Sequence, residues 1–379
     1  MTEAPCPRQV VVIGAGLIGT SAALALRRGG TGVWLWDADP AAVALAADLG
    51  AGQVLGTIDG SDGPAPGRCD LALLAVPPAE VAPVLARAQR AGLARWYTDV
   101  ASVKAMTLAR AREAGCDISR YVPGHPLAGR ERCGPAAARA DLFLGRAWAL
   151  CPAPETSEAA VAAVTSMVTA CGAEPVVTDA GTHDRWVALV SHAPHVVAAA
   201  MAAQLSRPSV PPEALALAGQ GLRDATRIAV GDVDLWTQIL TGNAAPVAAV
   251  LAEVAAGLAD AARVLAGITG SGSPGAPAPE AGKHLALLLE QGRAGVARIP
   301  GKHGGPARAF TAVQVVISDR PGELARLFTA AAEAGVNIED VGIEHSPGQP
   351  VGVAELSVRP DSAGALIAAL AAGGWPVRR

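Results

Sequence analysis

Aromatic side chains are scarce in this chain: two tyrosines, three phenylalanines and seven tryptophans in 379 residues. A core so poor in rings must be built from alanine, valine and leucine, which the 51% apolar fraction supplies, and close helix packing is expected instead of aromatic anchors. Lysine is scarcer still, with only Lys104, Lys283 and Lys302 among 30 basic residues. A formal net charge of -4 and the lack of a basic run give no electrostatic footprint for nucleic acid. A small soluble ligand is the expected partner. The six cysteines (Cys6, Cys69, Cys116, Cys133, Cys151, Cys171) form no C-x-x-C pair and no metal-like Cys/His spacing, so reduced thiols and no metal site are expected. No basic segment followed by an apolar run opens the sequence, which argues against a signal peptide and for a cytoplasmic protein. The most apolar long stretch, residues 187–205, is interrupted by His192, Pro194 and His195, and reads as a core helix, not a membrane span.

The length calls for two or three domains. From residue 9 to about 177, short apolar β-branched runs alternate with alanine-rich helical stretches, the pattern of an α/β doubly wound parallel sheet. Val10-Val-Val-Ile13, Val33-Trp-Leu-Trp36, Leu71-Ala-Leu-Leu-Ala-Val76 and Trp96-Tyr-Thr98 are the clearest strands. After Asp179 helical periodicity takes over. The composition of residues 270–279 is that of a flexible linker. From residue 311 the pattern becomes strand, helix, strand, strand, helix, and a terminal strand near residues 375–378 completes a small βαββαβ unit. The expected domains are residues 1–178, a helical domain at 179–300 with a loop near 269–282, and residues 309–379.

Gly14, Gly16 and Gly19 follow the first strand and open a helix. The first permits a tight turn, the second lets backbone approach a pyrophosphate, and the third lets helix pack on strand, with Leu17 and Ile18 at the helix start. Asp37 ends the second strand, where a carboxylate can bond ribose hydroxyls and repel a 2′-phosphate, which favours NAD over NADP. Val76 and Pro77 close the fourth strand at the same edge. His125, between Gly124 and Pro126 at a strand end, is placed to accept a proton from an alcohol as hydride leaves the same carbon, its ordinary pKa being about 6.5; a core histidine bonded to backbone is the alternative. Ser102 follows Asp99 by three residues at a helix start. It bonds the substrate hydroxyl or orients His125, or one of the two caps the helix. Lys104 is catalytic or merely solvated. On the apolar helix, His192 is read as a substrate contact and His195 as structural. Arg223 and Arg227 share a helix face with Asp224 beside them, suited to a bidentate grip on a carboxylate or to an ion pair at a domain interface.

In this order, the motifs Gly14-Ala-Gly-Leu-Ile-Gly-Thr-Ser21, Thr98-Asp-Val-Ala-Ser-Val-Lys104, Gly124-His-Pro-Leu-Ala-Gly129, Ser191-His-Ala-Pro-His195 and Arg223-Asp-Ala-Thr-Arg-Ile-Ala229 closely resemble the prephenate/arogenate dehydrogenase family of tyrosine biosynthesis, over residues 8–303. Residues 312–379, with Asp319-Arg-Pro-Gly-Glu-Leu324 and Gly335-Val-Asn-Ile338, look like an ACT regulatory domain. The resemblance implies a Rossmann-like NAD-binding domain, with Gly14, Gly16, Leu17, Ile18, Gly19, Asp37, Val76, Pro77 and Asp99 on the cofactor. His125 would engage the substrate hydroxyl with Ser102 as helper, and Arg227 would anchor a carboxylate with His192 and Asp224 nearby. The helical domain would form a homodimer. Prephenate is the expected substrate, oxidised and decarboxylated to an aromatic ring, with arogenate as the alternative. An aromatic amino acid, tyrosine first, is the effector expected near Asp319, Gly322 and Asn337, unless that domain only dimerises. Thr20 departs from a common glycine, and Arg130 stands where a small polar residue is usual. A β-hydroxyacid dehydrogenase would use a lysine of the helical domain, yet none lies between Lys104 and Lys283. A non-enzymatic NAD and amino-acid sensor would not need His125, Ser102 and Arg227.

Overall fold

The apolar run at residues 10–13 is fully buried, as a strand covered on both faces requires. The computed structural model describes residues 6–58, 69–129, 133–270, 279–299, 310–345 and 350–378, in two compact units, Met1–Leu258 and Ala259–Arg379. In the first unit, β1 (Gln9–Ile13), β2 (Gly32–Trp36), β3 (Gln53–Val54), β4 (Cys69–Leu74), β5 (Ala94–Asp99) and β6 (Tyr121–Val122) form one sheet of order β3-β2-β1-β4-β5-β6. Every pairing in it is parallel. The strand order reverses between β1 and β4, which opens a crevice at their carboxyl ends.

Helices α1 (Leu17–Arg28), α2 (Pro40–Asp48), α3 (Val81–Arg90) and α4 (Ala105–Glu113) cover this sheet. Their starts are local in origin: at α2 the Asp39 carboxylate accepts the Ala41 N–H and Pro40 takes the first helical position. Small side chains let the layers approach, as the scarcity of rings implied. Ala22, Ala23 and Ala46 are fully buried in one cluster with Val10, Leu35 and Leu73, and each buried leucine there contributes about 2 kcal/mol.

The single parallel sheet expected to run to residue 177 stops at β6. Pro123 has no N–H to continue the ladder, and its carbonyl instead accepts the Cys151 N–H at 2.8 Å. A second sheet follows, made of β7 (Gly124–Pro126), β8 (Ala147–Leu150) and β9 (Glu174–Val177). Strands β7 and β8 are antiparallel, and β8 and β9 are parallel across helix α5 (Glu158–Ala170). His125 therefore stands in the first strand of this second sheet.

From Ala180 the chain is helical: α6 (Ala180–Val187), one π turn (Ala188–His192), α7 (Ala193–Leu205), α8 (Pro212–Ala216), α9 (Gln220–Thr226), a 3-10 turn (Arg227–Ala229), α10 (Val233–Gly242) and α11 (Ala244–Gly270). Two stretches, Ala180–Leu205 and Ala244–Ile268, are long and apolar enough to cross a membrane. The first buries His183, Asp184, His192 and His195, but only a third of its apolar window is buried, so it is a partly exposed helix with a buried polar face and not the wholly buried core helix expected. Among the described residues, Leu217, Val230 and Val233 stand 86%, 78% and 76% exposed.

The second unit holds α12 (Pro279–Val296) and the succession β10 (Thr311–Ser318), α13 (Glu323–Glu333), β11 (Ile338–His345), β12 (Val351–Val358), α14 (Pro360–Ala372) and β13 (Val377–Arg378). Its sheet has the order β11-β12-β10-β13 and is antiparallel throughout. Alternate residues of β10 and β12 meet Leu327 and Leu366 of the two helices in its core. Of the expected linker, residues 271–278 lie outside the described residues.

Candidate active site

The tight turn at Gly14 and the close packing at Gly19 have the geometry their spacing predicts. Gly14 has φ +107°, and a side chain there would collide with the Ala75 carbonyl, while one at Gly19 would collide with the Gly14 carbonyl. Gly16 meets nothing within 4 Å of the position a side chain would take. It precedes α1 without a side-chain cap. Thr20 fits in place of glycine because its hydroxyl turns inward and donates to Ala15 O at 3.1 Å. Asp37 accepts the Ala15 N–H at 2.5 Å and the Asp39 N–H at 2.8 Å. It lines a cavity of about 400 Å³ with Gly14, Val76, Pro77, Trp36 and Arg87. A cradle closed at two glycines, open at the third and carrying an uncapped helix N-terminus fits a dinucleotide, with its pyrophosphate at α1 and its ribose at Asp37.

Asp99 belongs elsewhere. It is fully buried at the end of β5 and forms an ion pair with the equally buried Lys104. The Tyr121 hydroxyl donates to it at 2.5 Å and the Ala101 N–H at 2.8 Å. Its acceptor capacity is spent on protein groups, which corrects its assignment to the cofactor. Lys104 is neither solvated nor free, for Nζ also donates to the Gly124 carbonyl at 2.6 Å. Burial and the neighbouring Asp99 carboxylate push the Tyr121 phenol well above its usual range, so it remains a donor.

His125 is 8% exposed. Its Nδ1 lies 2.9 Å from His183 Nε2, and His183 Nδ1 lies 2.8 Å from Asp184 Oδ1. The Asp184 carboxylate also accepts the N–H groups of Lys104 and Ala105, each at 2.9 Å. Asp184 thus caps α4, and neither Asp99 nor Ser102 does, because the helix starts only at Ala105. A carboxylate can only accept, so His183 donates from Nδ1 and, as a neutral ring, accepts at Nε2. His125 then donates from Nδ1 and carries its lone pair on Nε2, the form a general base needs. Burial foremost, then His183, Lys104 and His192, lowers its imidazole well below the ordinary histidine range. Ser102 is half-buried, and the bond that orients His125 comes from His183 instead.

His192 ends the π turn, whose extra residue per turn re-aims its ring. Asn243 Nδ2 donates to the Asp184 carbonyl at 2.8 Å and meets His192 Nδ1 at 3.1 Å. Nδ1 therefore accepts and Nε2 carries the hydrogen. Among the described residues that N–H is buried without a partner, which leaves it able to donate to an oxygen. Burial lowers this imidazole to about 4. His195 stacks on Trp236 at 3.5 Å between ring centres, a packing role.

Arg223, Asp224 and Arg227 are all exposed. The α-helix ends at Thr226 and the tighter turn begins at Arg227, so the two guanidiniums stand on elements of different pitch. Asp224 accepts from Gln220 Nε2 at 2.9 Å. Arg130 lies outside the described residues. In the second unit Gly322 has φ +89° and precedes α13 without a side-chain cap, while Asn337 donates to Glu339 at 3.0 Å. The sequence reading passed over His183, Asp184 and Asn243. Its available signal was the His183-Asp184 pair in the first turns of an otherwise apolar helix.

Residues 22–177 match the family described as prephenate dehydrogenase, nucleotide-binding domain, and residues 179–269 match prephenate dehydrogenase, dimerization domain. The chain is 41% identical over 372 residues to the probable prephenate dehydrogenase NovF of Streptomyces niveus, covering 97% of this chain and 99% of that one. It is 30% identical over 240 residues to the prephenate dehydrogenase of Bacillus subtilis (strain 168), 62% of this chain and 64% of the other. A solved prephenate dehydrogenase of Aquifex aeolicus, in complex with hydroxyphenyl propionate and NAD+, shares the fold with a TM-score of 0.65 and 24% identity, over 78% of this chain and 100% of that one.

Proposed function

Because the chain belongs to the prephenate dehydrogenase family, we propose that it oxidises prephenate with NAD and releases CO2 and 4-hydroxyphenylpyruvate on the route to tyrosine. The observation that carries this reading is the His125 ring, held through Nδ1 by His183 so that Nε2 is the free base. When bound, NAD accepts the hydride that leaves the ring carbinol. His125 Nε2 takes the hydroxyl proton as that carbon is oxidised, and loss of the ring carboxylate completes an aromatic ring, which makes the step irreversible. Ser102 contributes its hydroxyl to the substrate. The buried His192 N–H meets a substrate oxygen, and Arg227 anchors a carboxylate with a bidentate grip. Gly14, Gly16 and Gly19 cradle the pyrophosphate, and the Asp37 carboxylate selects NAD by repelling a 2′-phosphate.

The exposed apolar residues Leu217, Val230 and Val233 support a homodimer closed through the helical half. The same reading makes this a soluble biosynthetic enzyme of the cytoplasm. The second unit is an ACT-like effector domain. Its βαββαβ succession and sheet order support this, and the uncapped start of α13 at Gly322 suits the carboxylate of tyrosine, with Asp319 and Asn337 as further contacts.

The test is NADH formation by the purified chain, with prephenate against arogenate, NAD against NADP, and tyrosine added or left out. Turnover of prephenate with NAD is expected, with loss on adding tyrosine. Preference for arogenate would move the substrate assignment, and no turnover of either would overturn the reading.

A further inference from the structure

A base that accepts a proton must hold a cation, and the ring nearest the reacting carbon is poorly placed to keep one. His125 is buried, and among the described residues no carboxylate bonds to its ring. The buried charges around it are Lys104 with its partner Asp99, and the rings of His183 and His192 also face it. Asp99 is committed to Lys104. One ring further back the surroundings differ, because His183 touches Asp184, whose carboxylate sits on the N-terminus of α4, where negative charge is stabilised.

We propose that His183 and Asp184 form a proton relay for His125. The relay rests on the dehydrogenase reading above. As the substrate hydroxyl proton arrives at His125 Nε2, the His125 Nδ1 proton passes across the 2.9 Å contact to His183 Nε2. The substrate O–H and the His125 Nδ1–H bonds break, and N–H bonds form at Nε2 of both rings. No electrons change hands within the relay. His125 ends neutral, in the opposite tautomer, and the positive charge rests on His183 beside Asp184. Both histidines and the carboxylate are buried, at 8%, 2% and 3% exposure, so water does not supply an equivalent counter-charge.

The relay also makes the resting protonation state decisive. If the pair takes up a proton before substrate binds, the cation forms on His183, both of its nitrogens become donors, and His125 must accept at Nδ1. Its Nε2 then carries a hydrogen and cannot act as a base. The ionisable groups that face the pair are Lys104, itself paired with Asp99, from the β5–α4 segment, His192 from the π turn and Asp184 on α6, while Cys151 after β8 faces Lys104, Asp99 and Asp184. Burial holds the Cys151 thiol up at about 12, so it stays neutral and Asp184 carries the counter-charge.

The experiment compares wild type with His183→Gln and Asp184→Asn, using kcat and KM across pH, solvent-isotope proton inventories, and imidazole nitrogen NMR of the resting protein. His183→Gln keeps the Asp184 cap of α4 and an acceptor for His125 Nδ1, but it cannot carry the proton onward. We expect kcat to fall about 100-fold in both variants with KM and NAD affinity unchanged. Removing the anion should move the acid limb of kcat in Asp184→Asn about one pH unit lower. The wild-type inventory should be curved, for two protons in motion, and that of His183→Gln linear. NMR should find the hydrogen on His125 Nδ1 in the resting wild type. Wild-type kcat in His183→Gln, an unmoved acid limb, or the hydrogen on Nε2 would each overturn the relay. The NMR result needs no substrate, so it tells failure of the relay apart from failure of the dehydrogenase reading.

Discussion

Lys104→Met isolates the cost of the buried ion pair beneath His125. Lys104 and Asp99 are both fully buried, and breaking such a pair by removing one partner costs about 3–5 kcal/mol, because the other charge is left without compensation. Asp99 would keep the Tyr121 hydroxyl and the Ala101 N–H, which places the expected loss near the lower end, about 3 kcal/mol. For a unit of this size that corresponds to a Tm lower by roughly 6–12 °C, read by circular dichroism on the full chain. Because the pair is shielded from solvent, the loss should be the same at low and high salt. The substitution also removes the donor to the Gly124 carbonyl, the residue before His125, so kcat should fall while NAD affinity holds. A Tm within about 2 °C of wild type, or a loss that disappears in high salt, would refute the reasoning and return Lys104 to a solvated surface role.

Two further substitutions separate the roles of the glycines and of His192. Gly16→Ala meets no protein atom within 4 Å, so its Tm should match wild type while NAD affinity measured by calorimetry falls at least about tenfold, worth 1.4 kcal/mol; Gly19→Ala, driven into the Gly14 carbonyl, should lose both, and equal NAD affinity in Gly16→Ala would show that the pyrophosphate does not pass there. His192 is held neutral by burial, with its pKa lowered from 6.5 to about 4, so the unfolded chain binds its proton first as the medium turns acid. Its contribution is intact above pH 6.5 and is lost progressively toward pH 4, about 3 kcal/mol in all. Denaturant midpoints of wild type and His192→Gln should therefore converge as pH falls through that window, and a constant difference would show that the ring is solvated.

Much of the fold was legible because its signals are local. The turn at Gly14 needs a positive φ within a few residues of the strand, and α2 starts where Asp39 and Pro40 say it should. The alternation of strand and helix survived to β6, then failed at Pro123, where a missing N–H ended the ladder and moved His125 into a second sheet. The site was half legible. His125, His192 and Asp37 were found as residue types at telling positions, but their partners were not. Asp184 meets Lys104 across 80 positions of sequence, and His183 meets His125 across 58, separations at which no periodicity carries information. The π turn that aims His192 leaves the apolar pattern of its helix nearly unchanged.

By itself, then, the sequence determined the conformations that depend on neighbouring residues: the glycine turn, the crossover helices and the succession of strands in the second unit. Only the tertiary structure decided which polar groups pay desolvation together. It buried Asp99 with Lys104, set Asp184 on the start of α4 and beside His183, and so fixed Nδ1 as the nitrogen of His125 that bonds to His183. Burial makes each unpaired polar atom costly, and the chain must bring distant partners together to satisfy them.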